Sequence, residues 1–479
     1  MDALIWLGFV SFILCLILTP IFRDIFRSYG VVDQPDHGRK IHKYPIPRVG
    51  GIAIAASYVA SFFIVQLRTG ILNQQLALVW KVLPAAAVIF AVGVIDDLWG
   101  LKPWQKLIGQ FLAAVIACAS GVCINDVVWL HSHAWWTYPV TVFWLLACTN
   151  AFNLVDGMDG LATGVGLFST LTIFLAALLS KNAPLAMATL PLAGCLLGFL
   201  CYNFNPATIF LGDSGSLLIG FVLGCYGIIW TQKSATLLGM TAPLMALSLP
   251  LLDVALAIVR RFLRRQPIFS PDRGHIHHRL LDRGMSPRRA AILLYGICSI
   301  VAIFSLLESV VSNNRISGII ILMFCAVAWT GIQYLGYAEF SLAGKLLFHG
   351  DLQRTLKAQL DLNSFRKAIE ESRSAEGCAA LIQKTAAGFG FEVVQATLAG
   401  EVFTWPRTPM NSCWEVRIPL EDGDFIEMRR EFEKKELAAS AGLFIEVLRG
   451  GLDHRLPALR AARIKAAGVA IPGSGHAIP

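Results

Sequence analysis

The chain has 479 residues, of which 56% are hydrophobic and 15% charged, well below the roughly 25% charged content of soluble domains. That balance excludes an ordinary soluble enzyme and points to a multi-span membrane protein. The formal net charge of +8 is gathered in particular loops, so membrane topology accounts for it and no nucleic-acid partner is implied.

In chain order, eleven apolar segments approach or exceed the ~20 residues that span a bilayer core. They cover 3–22, 50–67, 77–95, 107–125, 138–153, 161–180, 184–202, 214–231, 238–259, 290–308 and 316–336. The first lacks the basic flank and Ala-x-Ala site of a removable signal peptide and reads as the first span. One set of loops (23–49, 96–106, 154–160, 203–213, 260–289) holds 17 Lys and Arg, the other (68–76, 126–137, 181–183, 232–237, 309–315) four. The positive-inside rule makes the first set cytoplasmic, which puts the C-terminus inside as well. The eleven cysteines lie mostly in apolar runs with no C-x-x-C pair, as buried small hydrophobes do.

From about residue 341 the pattern becomes that of a soluble α+β domain. Helices are expected over Lys345–Ile369, Cys378–Phe389 and Glu431–Leu448, and strands over Phe391–Ala396 and Glu401–Trp405. Trp414–Leu420 and Phe425–Arg429 form a hairpin with Asp422-Gly423 at its turn. The reading is an all-α polytopic membrane protein over 1–340, a small cytoplasmic α+β domain over 341–456, and a disordered Ala/Gly/Pro-rich tail over 457–479.

Polar residues gather at the ends of the apolar segments, all on the side assigned as cytoplasmic. Asp96 and Asp97 end the third span, and Lys106 and Gln110 open the fourth. Asn150 and Asn153 share a helix face on the last turn of the fifth. Gly157 and Gly160 then break the helix, leaving Asp156 and Asp159 on a tight loop. A carboxylate at a helix centre costs ~2.5–3.5 kcal/mol to insert, so these groups belong at the interface or in a wet cavity. Oxygen donors at this density suit a hard cation such as Mg²⁺, which keeps waters and substrate phosphates in its shell.

Gly212-Asp213-Ser214-Gly215-Ser216 opens the eighth span, where small residues and free N–H groups favour an approaching phosphate. Asn203 lies upstream in the same loop. Asp253 sits seven residues before Arg260, inside the membrane boundary, and calls for a cationic or hydrogen-bonding partner. The longest loop carries Arg260, Arg261, Arg264, Arg265 and then His275-Ile276-His277-His278-Arg279. With no second ligand set nearby, zinc is a poor fit for these histidines. His and Arg donors around a diphosphate fit better, and the four clustered arginines alternatively touch only anionic lipid. The first loop, with Arg39, Lys40, His42 and Arg48 among prolines, offers basic groups that guide anionic substrates inward.

Asp96-Asp97, the Asn150–Gly160 motif, the Asn203–Ser216 stretch and His275–Arg279, in this order, resemble the polyprenyl-phosphate N-acetylhexosamine-1-phosphate transferases over about residues 1–335. The resemblance implies transfer of a sugar 1-phosphate from a UDP-sugar to undecaprenyl phosphate, with release of UMP, as the first membrane step of cell-surface polysaccharide synthesis. His-Ile-His-His-Arg is similar to the N-acetylglucosamine branch, which serves O-antigen, common-antigen and teichoic-acid pathways. The alternative is the phospho-MurNAc-pentapeptide transferase of peptidoglycan synthesis, which usually has a third consecutive histidine where Ile276 stands. Carried over by position, the resemblance implies a Mg²⁺ (or Mn²⁺) site at Asn153 and Asp213 and catalytic acids at Asp96, Asp97 and Asp156. It further implies substrate contacts at Lys106, Asn150, Asp159, Asn203, His275, His277, His278 and Arg279. The expected setting is a bacterial inner membrane, with UDP-N-acetylhexosamine and undecaprenyl phosphate as partners, and a homodimer by family analogy. The C-terminal domain, outside the family pattern, is open to a protein partner.

A phosphate monoester has a second pKa of about 6, so at neutral pH the lipid phosphate is mostly dianionic. Charge placement by a cation, Lys106 and the Arg/His loop is therefore the stronger expectation than proton abstraction by Asp97. A carrier would place ionisable groups near mid-span, and an inactive anchor would have no use for these motifs.

Overall fold

The computed structural model describes residues 2–34, 45–69, 77–124, 136–231, 240–263, 274–311, 313–335, 351–372, 374–406, 413–431 and 438–466. The chain divides into two compact units, Met1–Glu339 and Phe340–Pro479.

The first unit is all helix. Its elements are α1 (Asp2–Ser28), α2 (Gly50–Thr69), α3 (Ala77–Trp99), α4 (Pro103–Ala119), α5 (Thr137–Val155), α6 (Leu161–Leu179) and α7 (Ala183–Asn203). They are followed by α8 (Gly212–Thr231), α9 (Thr241–Ala246), α10 (Ser248–Leu263), α11 (Ile276–Asp282), α12 (Pro287–Val310) and α13 (Asn314–Tyr334). Among the described residues nine of these helices are long and apolar enough to cross a membrane, and the chain is a multi-pass membrane protein. At the centre stands α8, buried at every residue from Gly212 to Trp230, with α2, α3, α5 and α6 packed around it. Lipid-facing apolar side chains lie outside, as on α13, where Ile316, Ile319, Leu322 and Met323 are exposed.

Two expected spans take different forms. The fourth begins with Pro103 at its first turn and, as α4, has 17 residues. The segment expected as one span over 238–259 is two helices, α9 and α10, interrupted at Leu247. Pro250 supplies the reason, because it has no N–H to donate to the carbonyl four residues back. That carbonyl, on Ala246, accepts instead from Ser169 Oγ at 2.9 Å, and Ser305 Oγ likewise donates to Ala242 O at 2.7 Å.

The second unit is a four-stranded antiparallel sheet, β1 (Glu392–Leu398), β2 (Glu401–Thr404), β3 (Cys413–Pro419) and β4 (Phe425–Glu431), in the order β2-β1-β4-β3. Helices α14 (Asp351–Glu371), α15 (Ala375–Gly388) and α16 (Ala438–Ala466) complete it. Asp422 and Gly423 take positive φ at the β3–β4 turn, as the Asp-Gly pair anticipates. Phe365, Ile382, Ile418, Ile426, Met428, Phe444 and Leu448 form the core. The disordered tail expected from residue 457 is corrected in part: α16 runs to Ala466 because Leu456 and Leu459 are buried and Arg463 donates to Ala399 O at 2.6 Å. Residues 467–479 lie outside the described residues.

Candidate active site

The short connections between helices bring the polar ends together at one end of the bundle. The last turn of α3 and the first turns of α4 and α8 meet around two carboxylates. Asp96 Oδ1 accepts from the Leu101 N–H at 2.6 Å, and Asp96 Oδ2 pairs with Lys106 Nζ at 2.6 Å. The same ammonium pairs with Asp213 Oδ2. Asn153, on the last turn of α5, donates from Nδ2 to Asp213 Oδ1 at 3.1 Å and to Ser216 Oγ at 3.0 Å. Asp96, Lys106, Asn153 and Asp213 thus form one connected network.

Asp97 corrects a sequence expectation. The N–H groups that open α8 are not left for a phosphate: Asp97 Oδ1 accepts from the Asp213 N–H at 2.7 Å and Oδ2 from the Ser214 N–H at 2.9 Å. The glycines here admit that carboxylate. A Cβ at Gly212, whose φ is +74°, would lie 2.7 Å from Asp97 Oδ2. A Cβ on Gly93 of α3 would lie 2.5 Å from Ser214 Cα and 2.6 Å from Asp213 O. Contact this close between α3 and α8 sets the depth at which Asp213 sits.

Asn150 points elsewhere, exchanging hydrogen bonds with Gln110 of α4 at 2.7 and 3.3 Å. Asp156 follows α5 directly, and burial, then the Asp213 charge, push its carboxyl up to about 8 against the opposing pull of Arg48. Arg48, just before α2, also pairs with Asp33 at 3.5 Å. Asp159 accepts from Asn205 Nδ2 at 2.9 Å and from the Ala207 N–H at 3.1 Å. The Asn203 amide is buried, accepting from Thr163 Oγ1 at 2.7 Å and donating to Ile209 O at 2.9 Å. Asn203 thereby ties α6 to the 204–211 loop.

The histidine segment is fastened to α10. Asp253 Oδ2 lies 3.0 Å from His275 Nδ1, and Oδ1 accepts from the Ile276 N–H at 2.8 Å. His277 stacks on His275, and a Cβ on Gly157 would lie 2.6 Å from its Nε2, so this ring packs on the loop that carries Asp156 and Asp159. Burial, followed by neighbouring His278, pushes His277 down to about 4. His278 and Arg279 are half-buried on α11. Arg260 and Arg261 are 2% and 7% exposed, which overturns the reading of these two as part of a lipid-touching loop. Arg39, Lys40, His42, Arg264, Arg265 and Arg273 lie outside the described residues.

Among the described residues no group of three or more His, Cys, Asp or Glu side chains forms a metal cage. The donor set still fits Mg²⁺, which takes one or two carboxylates and completes its shell with waters and phosphates. Asp96 and Asp213 already converge on one cation, Lys106, and the side chains around them are oxygen-rich. Sequence reasoning missed Asp97's partners, the role of Gly93 and the phenol of Tyr295, which donates to Gly160 O at 2.7 Å. The Gly93 contact has no local signal, since Ser214 is 121 residues away in sequence.

Residues 79–231 match the model of glycosyl transferase family 4. The chain is 37% identical over 299 residues to a probable undecaprenyl-phosphate N-acetylglucosaminyl 1-phosphate transferase of Bacillus subtilis, covering 61% of this chain and 82% of that protein. It is 34% identical over 351 residues to a decaprenyl-phosphate N-acetylglucosaminephosphotransferase of Mycobacterium tuberculosis, covering 67% and 86%. An undecaprenyl-phosphate alpha-N-acetylglucosaminyl 1-phosphate transferase of Escherichia coli K12 is 27% identical over 290 residues, covering 58% and 77%. The matched family region spans α3 to α8, the helices that build the acidic network, and the chain belongs to glycosyl transferase family 4.

Proposed function

We propose that the chain is a polyprenyl-phosphate sugar-phosphate transferase that moves N-acetylglucosamine 1-phosphate from UDP-N-acetylglucosamine to undecaprenyl phosphate. A lipid-phosphate oxygen bonds to the β-phosphorus, the bond from that phosphorus to the bridging oxygen breaks, and UMP leaves with the bridging oxygen. The observation that carries the reading is the Asp96–Lys106–Asp213–Asn153 network at the membrane-span ends. The names of the N-acetylglucosamine transferases among its relatives support the sugar assignment over the MurNAc-pentapeptide alternative.

Asp213 and Asn153 would hold Mg²⁺, or Mn²⁺ in its place. When bound, the ion supplies positive charge where two phosphates crowd together. Lys106 adds a fixed ammonium beside it, and Arg48 a second cation facing Asp213, Asp97 and Asp156. Asp97 has both oxygens engaged by backbone N–H groups, so its role is to hold Asp213 in place rather than to take a proton. His278 and Arg279 contribute donors for the nucleotide phosphates. The loops rich in Lys and Arg support a cytoplasmic placement of this end of the bundle, in a bacterial inner membrane.

Purified protein supplied with Mg²⁺, undecaprenyl phosphate and UDP-N-acetylglucosamine is expected to release UMP. EDTA and Asp213→Asn are each expected to abolish release. UMP release from UDP-MurNAc-pentapeptide alone would overturn the sugar assignment.

A further inference from the structure

Asp253 is a buried carboxylate, 2% exposed on α10, and none of the chemistry above uses it. Among the described residues it makes two hydrogen-bonding contacts, both to the start of the histidine segment. Oδ1 accepts from the Ile276 N–H at 2.8 Å, capping α11, and Oδ2 meets His275 Nδ1 at 3.0 Å, where the ring is 5% exposed. A carboxylate is acceptor-only, so the ring nitrogen facing it carries the proton. The proton on Nδ1 leaves Nε2, in the neutral ring, as a hydrogen-bond acceptor. Two turns further along α10 the Arg260 guanidinium lies under Gly274, where a Cβ would fall 2.5 Å from its Nε and Nη2. This glycine lets the backbone before His275 settle onto α10. His277, stacked 5.9 Å from His275, rests on Gly157. The segment is thereby tied to α10 at one point and to the loop of Asp156 at another.

We infer that Asp253 is a positioning residue: it holds His275 with the proton on Nδ1 and so turns an Nε2 acceptor, suited to a hydroxyl of the sugar nucleotide, toward substrate. This rests on the proposed transfer reaction, and it changes the expected part of His275. A bare phosphate oxygen needs a donor, which an Nε2 lone pair is not. Phosphate contact then falls to His278 and Arg279, and His275 reads a proton-bearing group.

The test uses Asp253→Asn, which keeps an oxygen for the Ile276 N–H but can present an NH₂ to His275. The ring must then accept at Nδ1 and carry its proton on Nε2. With ¹⁵N-histidine-labelled full-length protein in detergent, and His275→Gln to assign the signals, the wild type should show a protonated Nδ1. The variant should show the proton on Nε2. Its kcat/KM for UDP-N-acetylglucosamine should fall on the order of 100-fold, the upper end of the loss when a carboxylate that orients a functional histidine is removed. In a His275→Gln background the same substitution should cost almost nothing more. An unchanged tautomer, or a full additional loss in the His275→Gln background, would overturn the inference. The ¹⁵N readout needs no turnover, so a chain that releases no UMP would sink the proposed function while Asp253 is still judged by its spectrum.

Discussion

Asp97 caps the backbone of Asp213, with each carboxylate oxygen taking one of the first N–H groups of α8. Replacing Asp97 by Asn turns an acceptor into a donor against one of those N–H groups. We expect a loss of about 1–2 kcal/mol in stability, the size of a helix-cap deletion, together with a loss of transfer activity of equal proportion at about pH 6 and about pH 9. Thermal unfolding in detergent and a pH–rate profile check this. An activity that recovers toward high pH would instead restore Asp97 as a base.

Lys106 holds two carboxylates at once. Its removal in Lys106→Met leaves Asp96 and Asp213 facing each other without their shared ammonium, with Arg48 the remaining cation acting on Asp213. Breaking a buried ion pair costs ~3–5 kcal/mol, but the Lys106 side chain is 23% exposed, and screening brings the expected loss to about 1–3 kcal/mol. Mn²⁺, which then meets two carboxylates freed of the Lys106 ammonium, should bind more tightly than in the wild type while transfer is lost. Electron paramagnetic resonance titration of Mn²⁺ measures the first and UMP release the second.

Gly93→Ala removes no charged group and no hydrogen bond. The added methyl meets the Ser214 and Asp213 backbone at 2.5–2.6 Å, and backbone cannot step aside as a flexible side chain does. Overpacking of this kind costs ~1–3 kcal/mol. We expect a lower unfolding temperature and a fall in kcat larger than the fall in any Ala→Gly control on the lipid-facing side of α3.

Asp156 gives the site a pH dependence of definite sign. Its folded-state value, about 8, lies above the ordinary carboxylate value of about 4, so the folded chain binds the extra proton between those values. Stability therefore falls as pH rises from about 4 to about 8, where the ionised form must be accommodated in place. Asp156→Asn removes that dependence. Its unfolding temperature should gain on the wild type between about pH 5 and about pH 9, and a constant difference across that range would refute the assignment.

Much of the bundle was legible because apolar run length and loop charge are local properties of the sequence. The departures each have a nonlocal or stereochemical cause. The break at Leu247 follows from Pro250, and its tolerance from Ser169, which lies far away in sequence. The ten residues past 456 read as disordered from their Ala content, yet they are helical through Leu459 and the Arg463 contact to Ala399. In the site, residue types pointed to the right groups, but their partners were hidden. Nothing in the spacing says that Asp97 spends both oxygens on α8, that the Asn203 amide bonds to Thr163 and Ile209, or that Asp253 meets His275.

Because α8 is enclosed along its whole length, its axis is set by neighbouring helices and not by the acyl chains. Bilayers of different thickness act on the outer helices, above all on α13, of which 11% is buried, and these can tilt to absorb the mismatch. The carboxylate at the head of α8 is expected to keep its height as the surrounding lipid changes.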